Sequence, residues 1–440
     1  MVAPRAIVSK KEEQQRKIKG ELLIEATTAM GMDALAVGDS DLAFGIGWLR
    51  KMAGKHKAPY VSANLLDGND ELVFPATRVV TKGPYTIGIT SVLSDTFGLT
   101  AGRIDDPTST LKAAVAELEA QKVDLVVALV HAQFDVAQTL AKDVPGIDLM
   151  FTGHNKRHQE DPILIGDTAL LEAGSRSKYI GEARLDLEEG GSGWSDPAGR
   201  QRLIRQKEQL GKQVERYEEQ LASADDSSRA RIERVLEFSK KKRDAIVIPP
   251  EDDGTGHGLR GRRVPLSRDI ADDEGMTKLV DSYLLLLGPD AKRSDPHAGH
   301  DHAMPTPTIT PKDDYGDYVT ARTCMGCHAE QHRDWMGTPH ARAWATLVKE
   351  KRQYDLDCWS CHVTGAGRDG GPESPGEVGP LKNVQCEACH GPGKAHAAKP
   401  AKDNIVKTPT EALCVECHSE EQTMGSFVHD EYLPKIDHKD

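Results

Sequence analysis

The chain has 440 residues, a length that predicts about two or three domains rather than one. Hydrophobic residues make up 38% of it, and no stretch reaches the roughly 20 consecutive apolar residues of a membrane-spanning helix. The net charge of −13 argues against a nucleic-acid-binding protein. All eight cysteines follow residue 320, so the composition separates a cysteine-free region from a cysteine-rich one.

The first 190 residues alternate short apolar runs with helical patterns. Strands are expected at 34–37, 60–63, 86–92, 123–130 and 148–152, and helices at 109–121 and 136–142. This alternation predicts an α/β fold with a buried sheet. Asp39, His131 and His154 follow three of the expected strands, where α/β folds place their ligand sites.

These segments resemble the calcineurin-like metallophosphoesterase domain of bacterial 5′-nucleotidases. The matching stretches are M-G-M-D-A-L-A-V-G-D-S-D-L-A-F-G, S-A-N-L at 62–65 and D-L-M-F-T-G-H at 148–154. In that family, G-N-H-E-F-D-x-G supplies a metal-binding Asn and a catalytic His. A later His and a G-H-x-H complete a two-metal site. The resemblance implies that Asp39, His131 and His154 are what remains of the metal ligands.

The departures from this family predict lost activity. Asp39 stands where the family has Asn and can still ligate, but Ser40 replaces the catalytic His and Lys156 replaces the last His of G-H-x-H. The family's opening D-x-H is absent, which predicts an N-terminally truncated sequence. Because a two-metal site needs more ligands than these, we expect an inactive relic scaffold that binds at most one divalent metal ion.

Residues 199–245 carry a coiled-coil pattern. Apolar residues at coiled-coil spacing (Leu203, Leu210, Val214, Tyr217 and Leu221) predict one helix, and Ile232, Val235 and Phe238 begin a second. The pattern predicts a helical hairpin used either for dimerisation or for packing within the chain. A strand at 245–248 and a helix at 276–287 are expected to close the α/β domain. The histidines of H-A-G-H-D-H at 297–302 are interpreted as incidental to a flexible linker rather than as a metal site.

The cysteines form four C-x-x-C-H motifs: Cys324/Cys327/His328, Cys358/Cys361/His362, Cys386/Cys389/His390 and Cys414/Cys417/His418. In such a motif the thiols bond to the two vinyl groups of a haem, and the adjacent His ligates the iron. Zinc ribbons and redox dithiols are the alternatives. Zinc requires no His directly after the second Cys, and a redox pair would not occur four times. The motifs therefore predict four covalently bound c-type haems.

Residues 320–432 resemble the tetrahaem cytochrome c family that accepts electrons from hydroxylamine oxidation. The matching stretches are C-M-G-C-H-A-E-Q-H-R-D-W-M-G-T-P-H-A-R-A, C-W-S-C-H-V-T-G-A-G, C-E-A-C-H-G-P-G-K-A-H and F-V-H-D-E-Y. In that family three haems have two His ligands and the second is five-coordinate. The resemblance implies that His396, His429 and His340 are the distal ligands of the first, third and fourth haems. His332 and His438 are interpreted as solvated.

The sequence thus predicts a multidomain protein with an α/β metallophosphoesterase-like sandwich, an inserted helical hairpin and a mainly α tetrahaem cytochrome c domain. The expected boundaries are 1–198 for the incomplete α/β domain, 199–245 for the hairpin, 246–288 for the closing strand and helix, 289–316 for the linker and 317–440 for the haem domain.

The expected function is electron transfer outside the cytoplasm, in the periplasm or at the cell surface, because haem is attached covalently there. Redox proteins or other multihaem cytochromes are the expected partners, with homo-oligomerisation through 199–245 left open. The alternatives are an oxidoreductase acting at a five-coordinate second haem, a metal-dependent phosphoesterase with a redox accessory domain, and a structural role in an extracellular assembly.

Overall fold

The computed structural model describes residues 10–97, 102–154, 161–172, 174, 177–188, 193–222, 226–248, 256–267, 269–287, 314–423 and 427–438. Contacts divide the chain into two compact units. The first contains Leu23–Ala271, and the second contains Arg5–Leu22 and Asp272–Asp440. The predicted domain boundaries themselves stay predictions.

The first unit is a mixed α/β structure. After the helix α1 (Lys10–Ala29), its elements in chain order are β1 (Leu35–Ala36), α2 (Ile46–His56), β2 (Tyr60–Val61), β3 (Leu65–Leu66), β4 (Thr77–Lys82), β5 (Tyr85–Leu93), β6 (Arg103–Ile104), α3 (Pro107–Ala120), β7 (Leu125–His131), α4 (Phe134–Asp143), β8 (Leu149–Gly153), β9 (Ile163–Ile165), β10 (Thr168–Glu172), β11 (Tyr179–Asp186), β12 (Trp194–Ser195), α5 (Pro197–Ala222), α6 (Asp226–Asp244) and β13 (His257–Pro265).

A six-stranded sheet in the order β4-β5-β7-β8-β10-β9 forms the centre of this unit. The four inner strands (β5, β7, β8 and β10) run parallel to one another. The two edge strands run antiparallel to the inner strands beside them, β4 to β5 and β9 to β10. A smaller sheet in the order β11-β13-β12 accompanies it. The predicted α/β fold is confirmed, and all five predicted strands and both predicted helices form within a few residues of their expected bounds.

The central sheet is buried on both faces, as its apolar strands require. One face packs on α3 and α4 through side chains such as Leu111, Leu118 and Leu140, which are almost fully buried. The other face packs on the smaller sheet through Trp194 and Leu259. Fully burying one leucine side chain contributes about 2 kcal/mol, so this two-sided core contributes strongly to the stability of the sandwich.

The predicted hairpin of two helices is formed by α5 and α6. Lys207 on α5 donates a hydrogen bond to the carbonyl of Ile246, so the chain after α6 has returned along α5. Leu203, Leu210 and Val214 are buried as expected. The expected role of Phe238 is wrong: its ring is 66% exposed, because on this helix Leu236 and Ser239 face inward instead.

The strand expected at 245–248 is also wrong. Residues 245–248 follow the end of α6 without a strand, and β13 supplies the strand of this region by pairing with β11 along its whole length. The expected helix is formed as α7 (Glu274–Leu287) and groups with the second unit. The linker histidines at 297–302 and the position of Lys156 lie outside the described residues.

The second unit is mainly helical. Besides α7 it contains α8 (Thr320–Cys324), α9 (Ala329–Gly337), α10 (Ala343–Lys349), α11 (Leu356–Trp359), α12 (Cys386–His390), α13 (Lys394–Ala398), α14 (Glu411–Cys417), α15 (Glu420–Thr423) and α16 (His429–Tyr432), joined by several short 3₁₀ turns. These helices are short, and one apolar cluster around Leu347, Trp359 and Val378 surrounds the second C-x-x-C-H motif. A unit with so small an apolar core depends on other groups for its packing.

Candidate metal centre and haem-binding residues

Three side chains from separate strand ends meet in the first unit. His131 is the last residue of β7, His154 follows the last residue of β8, and Asp39 begins the 3₁₀ helix after β1. Strands β7 and β8 are parallel neighbours in which His131 pairs with Gly153, so the two histidines lie side by side. The sheet register therefore brings together the three residues that the sequence singled out.

The three side chains could hold one metal ion. Asp39 Oδ1 lies 2.9 Å from His131 Nε2 and 3.9 Å from His154 Nδ1, while the two ring nitrogens are 3.3 Å apart. All three candidate ligand atoms lie within 4.8 Å of one another. A carboxylate with two imidazoles is a ligand set typical of Zn²⁺, Mn²⁺ or Fe²⁺. That these residues bind a metal stays a prediction.

The electrostatics of the cluster suit a metal ligand set. Burial lowers the pKa of His131 below its ordinary value of 6.5, although the nearby Asp39 opposes this shift. Burial alone would raise the pKa of Asp39, but the charge and hydrogen bond of His131 outweigh it, and the net direction is downward. The charge effect on Asp39 requires a protonated His131, whereas the lowered pKa of His131 favours the neutral ring. The hydrogen bond holds in both cases, because a neutral imidazole still donates one N–H to an ionised carboxylate. Neutral histidine and ionised aspartate are the forms that bind metals.

Neighbouring residues that the sequence did not identify hold this cluster. A Cβ on Gly38 would lie 3.1 Å from Cε1 of His131, so any larger residue would require the ring to move by a few tenths of an ångström. The Gly38 N–H donates to the buried Asp41 carboxylate at 2.9 Å. The Phe97 ring centre lies 4.7 Å from that of His154. A glycine directly before Asp39 was a usable signal, whereas nothing in the sequence indicated Phe97.

In the second unit, each C-x-x-C-H motif occupies about one helical turn. The whole third motif is α12, and in the first and fourth motifs the His N–H donates to the carbonyl of the first Cys at 2.9 Å. Residues i, i+3 and i+4 of a helical turn lie on the same face. Both thiols and the imidazole of a motif therefore point the same way, as attachment to a single porphyrin requires.

Cys327, predicted to bond the first haem, differs from the other seven cysteines in its burial. Its side chain is exposed, whereas the other seven are half-buried. The reason is local: the turn after α8 lies at the surface, where Met325 is also 43% exposed. The Cys327 N–H still donates to the Cys324 carbonyl at 3.1 Å, which keeps the residue within the helical turn of its motif. Haem attachment at Cys327 stays a prediction, and it would place one edge of the first haem at the surface.

Three of the imidazoles have the hydrogen bonds of iron ligands. Nδ1 of His362 lies 2.7 Å from the Ala343 carbonyl oxygen, and Nδ1 of His390 lies 2.6 Å from that of Val406. Nδ1 of His396 lies 3.0 Å from the carbonyl oxygen of Ala401. Because a carbonyl can only accept, each Nδ1 must carry the hydrogen, which leaves the Nε2 lone pair available for a metal. The residues therefore fit c-type haem.

Six imidazoles face one another in three pairs. Their ring centres are separated by 6.2 Å for His328/His396, 6.0 Å for His340/His418 and 5.6 Å for His390/His438. Two imidazoles bound to opposite sides of one metal have centres roughly 6 Å apart, since each metal–nitrogen bond is about 2 Å and each ring centre lies about 1 Å farther out. The spacing of all three pairs thus suits one iron between two rings.

Two of these pairs contain a histidine that the resemblance implies as a distal ligand, and the third does not; the distal assignments stay predictions. His396 faces the first motif and His340 faces the fourth, as the resemblance implied. The ring facing His390 of the third motif is His438, which was interpreted as solvated, and among the described residues the expected His429 makes no ring contact with His390. The reason is local: Phe427 stacks on His418 at 4.8 Å and holds the start of α16 by the fourth motif.

Some cysteines of different motifs lie close enough to influence one another. The Cys386 thiol raises the pKa of Cys324, so the first and third motifs are neighbours there. The Cys361 thiol raises the pKa of Cys417, and burial together with Cys414 raises the pKa of Cys389, so the fourth motif neighbours both the second and the third. Haem would be attached at these sulfur atoms, so haems held at neighbouring motifs would have their edges close together.

The second motif is supported by the N-terminal helix of the chain. Gln15 on α1 is buried, and its amide donates to the Tyr354 carbonyl at 2.9 Å and accepts from the Leu356 N–H at 2.7 Å. These two bonds fix the start of α11, which carries Cys358. Nothing in the spacing of the sequence indicated this contact, because it joins residues more than three hundred positions apart.

Helical turns that carry C-x-x-C-H motifs, with further imidazoles beside them, are characteristic of c-type cytochromes. The comparisons agree: the family described as "Cytochrome c554 and c-prime" matches residues 323–391, and "Doubled CXXCH motif" matches residues 379–423. The chain is similar to cytochrome c-554 of Nitrosomonas europaea, with 39% identity over 90 residues, which cover 17% of this chain and 37% of that protein. This region carries covalently bound c-type haems.

The comparisons also find relatives of the 5′-nucleotidase class. The chain is 23% identical to the 5′-nucleotidase of Bos taurus over 203 residues, 40% of this chain and 35% of that protein. The chain thus spans little more than a third of the length of either curated relative. The protein joins a multihaem cytochrome c region to a 5′-nucleotidase-like one.

Solved structures with similar folds include the sulfate thiohydrolase SoxB of Thermus thermophilus and a 5′-nucleotidase precursor from the same species. The first has a TM-score of 0.42 and 18% identity, covering 60% of this chain and 39% of that one. The second has a TM-score of 0.36 and 21% identity, covering 42% and 41%. Among the described residues, no helix is both long and apolar enough to cross a membrane.

Proposed function

We propose that this protein is an exported electron carrier. In this proposal four covalently bound haems transfer electrons, and the phosphoesterase-like region is a scaffold without hydrolytic activity. The observation that carries the proposal is the set of three facing imidazole pairs, each built on a motif histidine at 5.6–6.2 Å. A haem with two histidine ligands has no position left for a substrate, so its chemistry is the gain and loss of one electron.

The protein's own residues would do three things for these haems. The cysteines would fix each porphyrin to its helical turn, and the carbonyls of Ala343 and Val406 would orient the imidazoles of His362 and His390. The neighbouring cysteines of different motifs would bring the first haem near the third and the second near the fourth. Electrons would then move within each pair and enter or leave at exposed haem edges, of which the one beside the exposed Cys327 is an example.

The location and the partners in this proposal follow from the chemistry of c-type haem. Because c-type haem is attached outside the cytoplasm, the proposal places this protein in the periplasm or at the cell surface. Its partners would be redox proteins or other multihaem cytochromes that meet its haem edges. The exposed Phe238 on the helical hairpin offers a contact for self-association, which a Phe238→Ser variant would test by light scattering.

The test is to produce the full chain in a periplasm competent for c-type haem attachment. Four haems per chain, counted by the pyridine haemochrome spectrum and intact mass, together with four reversible one-electron steps in a spectroelectrochemical titration, are expected. Replacing both cysteines of one motif by serine should remove one haem and one step, with each motif serving as control for the others. Fewer than four haems in the unaltered chain, or zinc in their place, would refute the proposal.

We propose that the protein does not hydrolyse phosphoesters, because it lacks the histidine that acts as general acid in the similar family. Ser40 lies beside Asp39 in the same 3₁₀ helix, where the similar family has its catalytic histidine. A serine hydroxyl has a pKa far above neutrality and cannot protonate a leaving alkoxide as an imidazolium does. The loaded protein should therefore release no phosphate from nucleoside 5′-monophosphates at any concentration of added Mn²⁺, Zn²⁺ or Mg²⁺.

The Asp39–His131–His154 cluster favours a second candidate function, a metal-dependent phosphoesterase with a redox accessory region. It predicts phosphate release that depends on one of these ions and is abolished by His131→Asn. The first proposal predicts at most one bound ion and no phosphate release. Metal content by mass spectrometry and phosphate release, measured on the same sample, separate the two.

A further inference from the structure

One motif histidine differs from the other three. His328, His390 and His418 each face a second imidazole, whereas His362 of the second motif faces none within the described part of the chain. His362 nevertheless has a ring nitrogen available for iron, because its Nδ1 donates its hydrogen to the Ala343 carbonyl and leaves the Nε2 lone pair unused. The question is which side chain could occupy the opposite side of an iron bound there.

His429, the first residue of α16, has an unused ring nitrogen. Its Nδ1 lies 3.2 Å from the Asp430 carboxylate, which can only accept, so Nδ1 carries the hydrogen and Nε2 carries a lone pair. That Nε2 is buried and has no hydrogen-bond partner. A buried polar atom without a partner costs about 1–3 kcal/mol, and such groups are usually explained by an ion or another missing partner.

The surroundings of His429 place it by the second and fourth motifs. Phe427, two residues earlier, stacks on His418 of the fourth motif at 4.8 Å. The fourth motif neighbours the second, since the Cys361 thiol lies close enough to Cys417 to raise its pKa. Since His418 already faces His340, the neighbouring second motif is the one in this pair that still has a ligand position to fill.

The other described histidine of this unit without a facing partner is a weaker candidate. His332 lies on α9, where its ring contacts Trp335 on the same helix with 5.4 Å between centres. Its ring nitrogens are not among the buried unpartnered atoms found in the described residues. Only His429 combines partial burial, a hydrogen fixed on Nδ1 and an unpartnered Nε2.

We propose that His429 is the sixth ligand of the haem bound at His362, and that His438 is the sixth ligand of the haem bound at His390. All four haems are then six-coordinate and low-spin, unlike the arrangement in the similar family, where the second haem is open. The inference rests on the proposed function, since it requires four bound haems. With six ligands on every iron, the second haem would have no open position for an oxidoreductase activity.

The test is electron paramagnetic resonance and absorption spectroscopy of the haem-loaded full chain. The unaltered protein should show four low-spin haems and bind no cyanide or nitric oxide in stoichiometric amount. His429→Ala and His438→Ala should each convert one haem equivalent to high-spin iron that binds these ligands, and added imidazole should reverse the change. His332→Ala, the matched control, should retain four low-spin haems.

A variant with Cys358 and Cys361 replaced by serine identifies the haem that loses its ligand. In that background, which lacks the second haem, His429→Ala should create no high-spin iron, whereas His438→Ala should still create one equivalent. High-spin iron after His429→Ala in that background would overturn the assignment. So would one high-spin haem among four in the unaltered protein. A count below four haems would instead overturn the proposed function, and this inference with it.

Discussion

Glu387 lies inside the third motif and is expected to be the strongest single stabilising side chain of the second unit. It is 3% exposed, and its carboxylate accepts three backbone N–H groups. Those donors are Val319 at 2.9 Å, Thr320 at 2.7 Å and Gly393 at 2.8 Å. Val319 and Thr320 precede the first C-x-x-C-H motif, and Gly393 follows the third motif. One carboxylate therefore connects the chain segments of both motifs.

The expected loss in free energy of unfolding follows from the N–H groups that Glu387→Ala would leave without an acceptor. The Gly393 N–H is buried and the other two are partly buried, and each loses its acceptor. At about 1 kcal/mol for a partly buried donor and up to about 3 kcal/mol for a buried one, the loss is roughly 3–5 kcal/mol. Glu387→Gln retains one accepting oxygen and should cost about half as much.

Urea unfolding followed by the haem Soret band reports on this unit alone and measures the loss. Glu416→Ala is the matched control, because Glu416 also lies between the two cysteines of its motif but is 54% exposed and pairs with Arg368. Such a surface pair contributes about 0–1 kcal/mol. If Glu387→Ala lowered the free energy of unfolding no more than Glu416→Ala, the assigned role of the buried carboxylate would be wrong.

Three further outcomes are expected. Gly38→Ala should push the His131 ring away and weaken metal binding in calorimetry by about 10–100-fold, whereas Gly54→Ala, with nothing within 4 Å, should not. Stability of the metal-free first unit should fall as the pH drops below the ordinary His131 pKa of 6.5, because the unfolded chain takes up a proton that the buried ring resists. His131→Asn should flatten that fall in urea titrations. Gln15→Ala should destabilise the second unit by about 1–3 kcal/mol, and Gln14→Ala by less.

The sequence predicted much of the first unit because its signals are local. Apolar runs flanked by turn residues locate β5, β7 and β8, and the Asp106 carboxylate that accepts from Ser109 marks the start of α3. The pairing of β13 with β11 is not local, since about seventy residues and a helical hairpin separate the two strands. Phe238 was misassigned because a heptad pattern extended across a break cannot fix which face of the second helix turns inward.

In the candidate sites, too, the sequence predicts residues that lie close together along the chain but not those that come from distant parts of it. Cysteines and proximal histidines fall within five residues of sequence, so their spacing alone indicates haem. Spacing does not report burial, however, and the exposure of Cys327 could not be read from its motif. Distal histidines come from anywhere in the fold, and a solvated histidine and an iron ligand look alike in a sequence. His438 was therefore recognised as a candidate ligand only from its ring contact with His390, and the hydrogen bonds of Gln15 to the second motif were equally invisible in the sequence.

In the first unit the apolar cores and the candidate metal centre occupy different places. Its cores lie on the two faces of the central sheet, whereas Asp39, His131 and His154 lie at the strand ends, so substitutions there leave the packing intact. Hydrolysis needs both an acid and enough ligands to hold the metal and the leaving oxygen. Ser40→His would restore only the acid and should give no metal-dependent phosphate release. Release comparable to that of an active 5′-nucleotidase would show that the ligands still suffice and that the acid alone was lost.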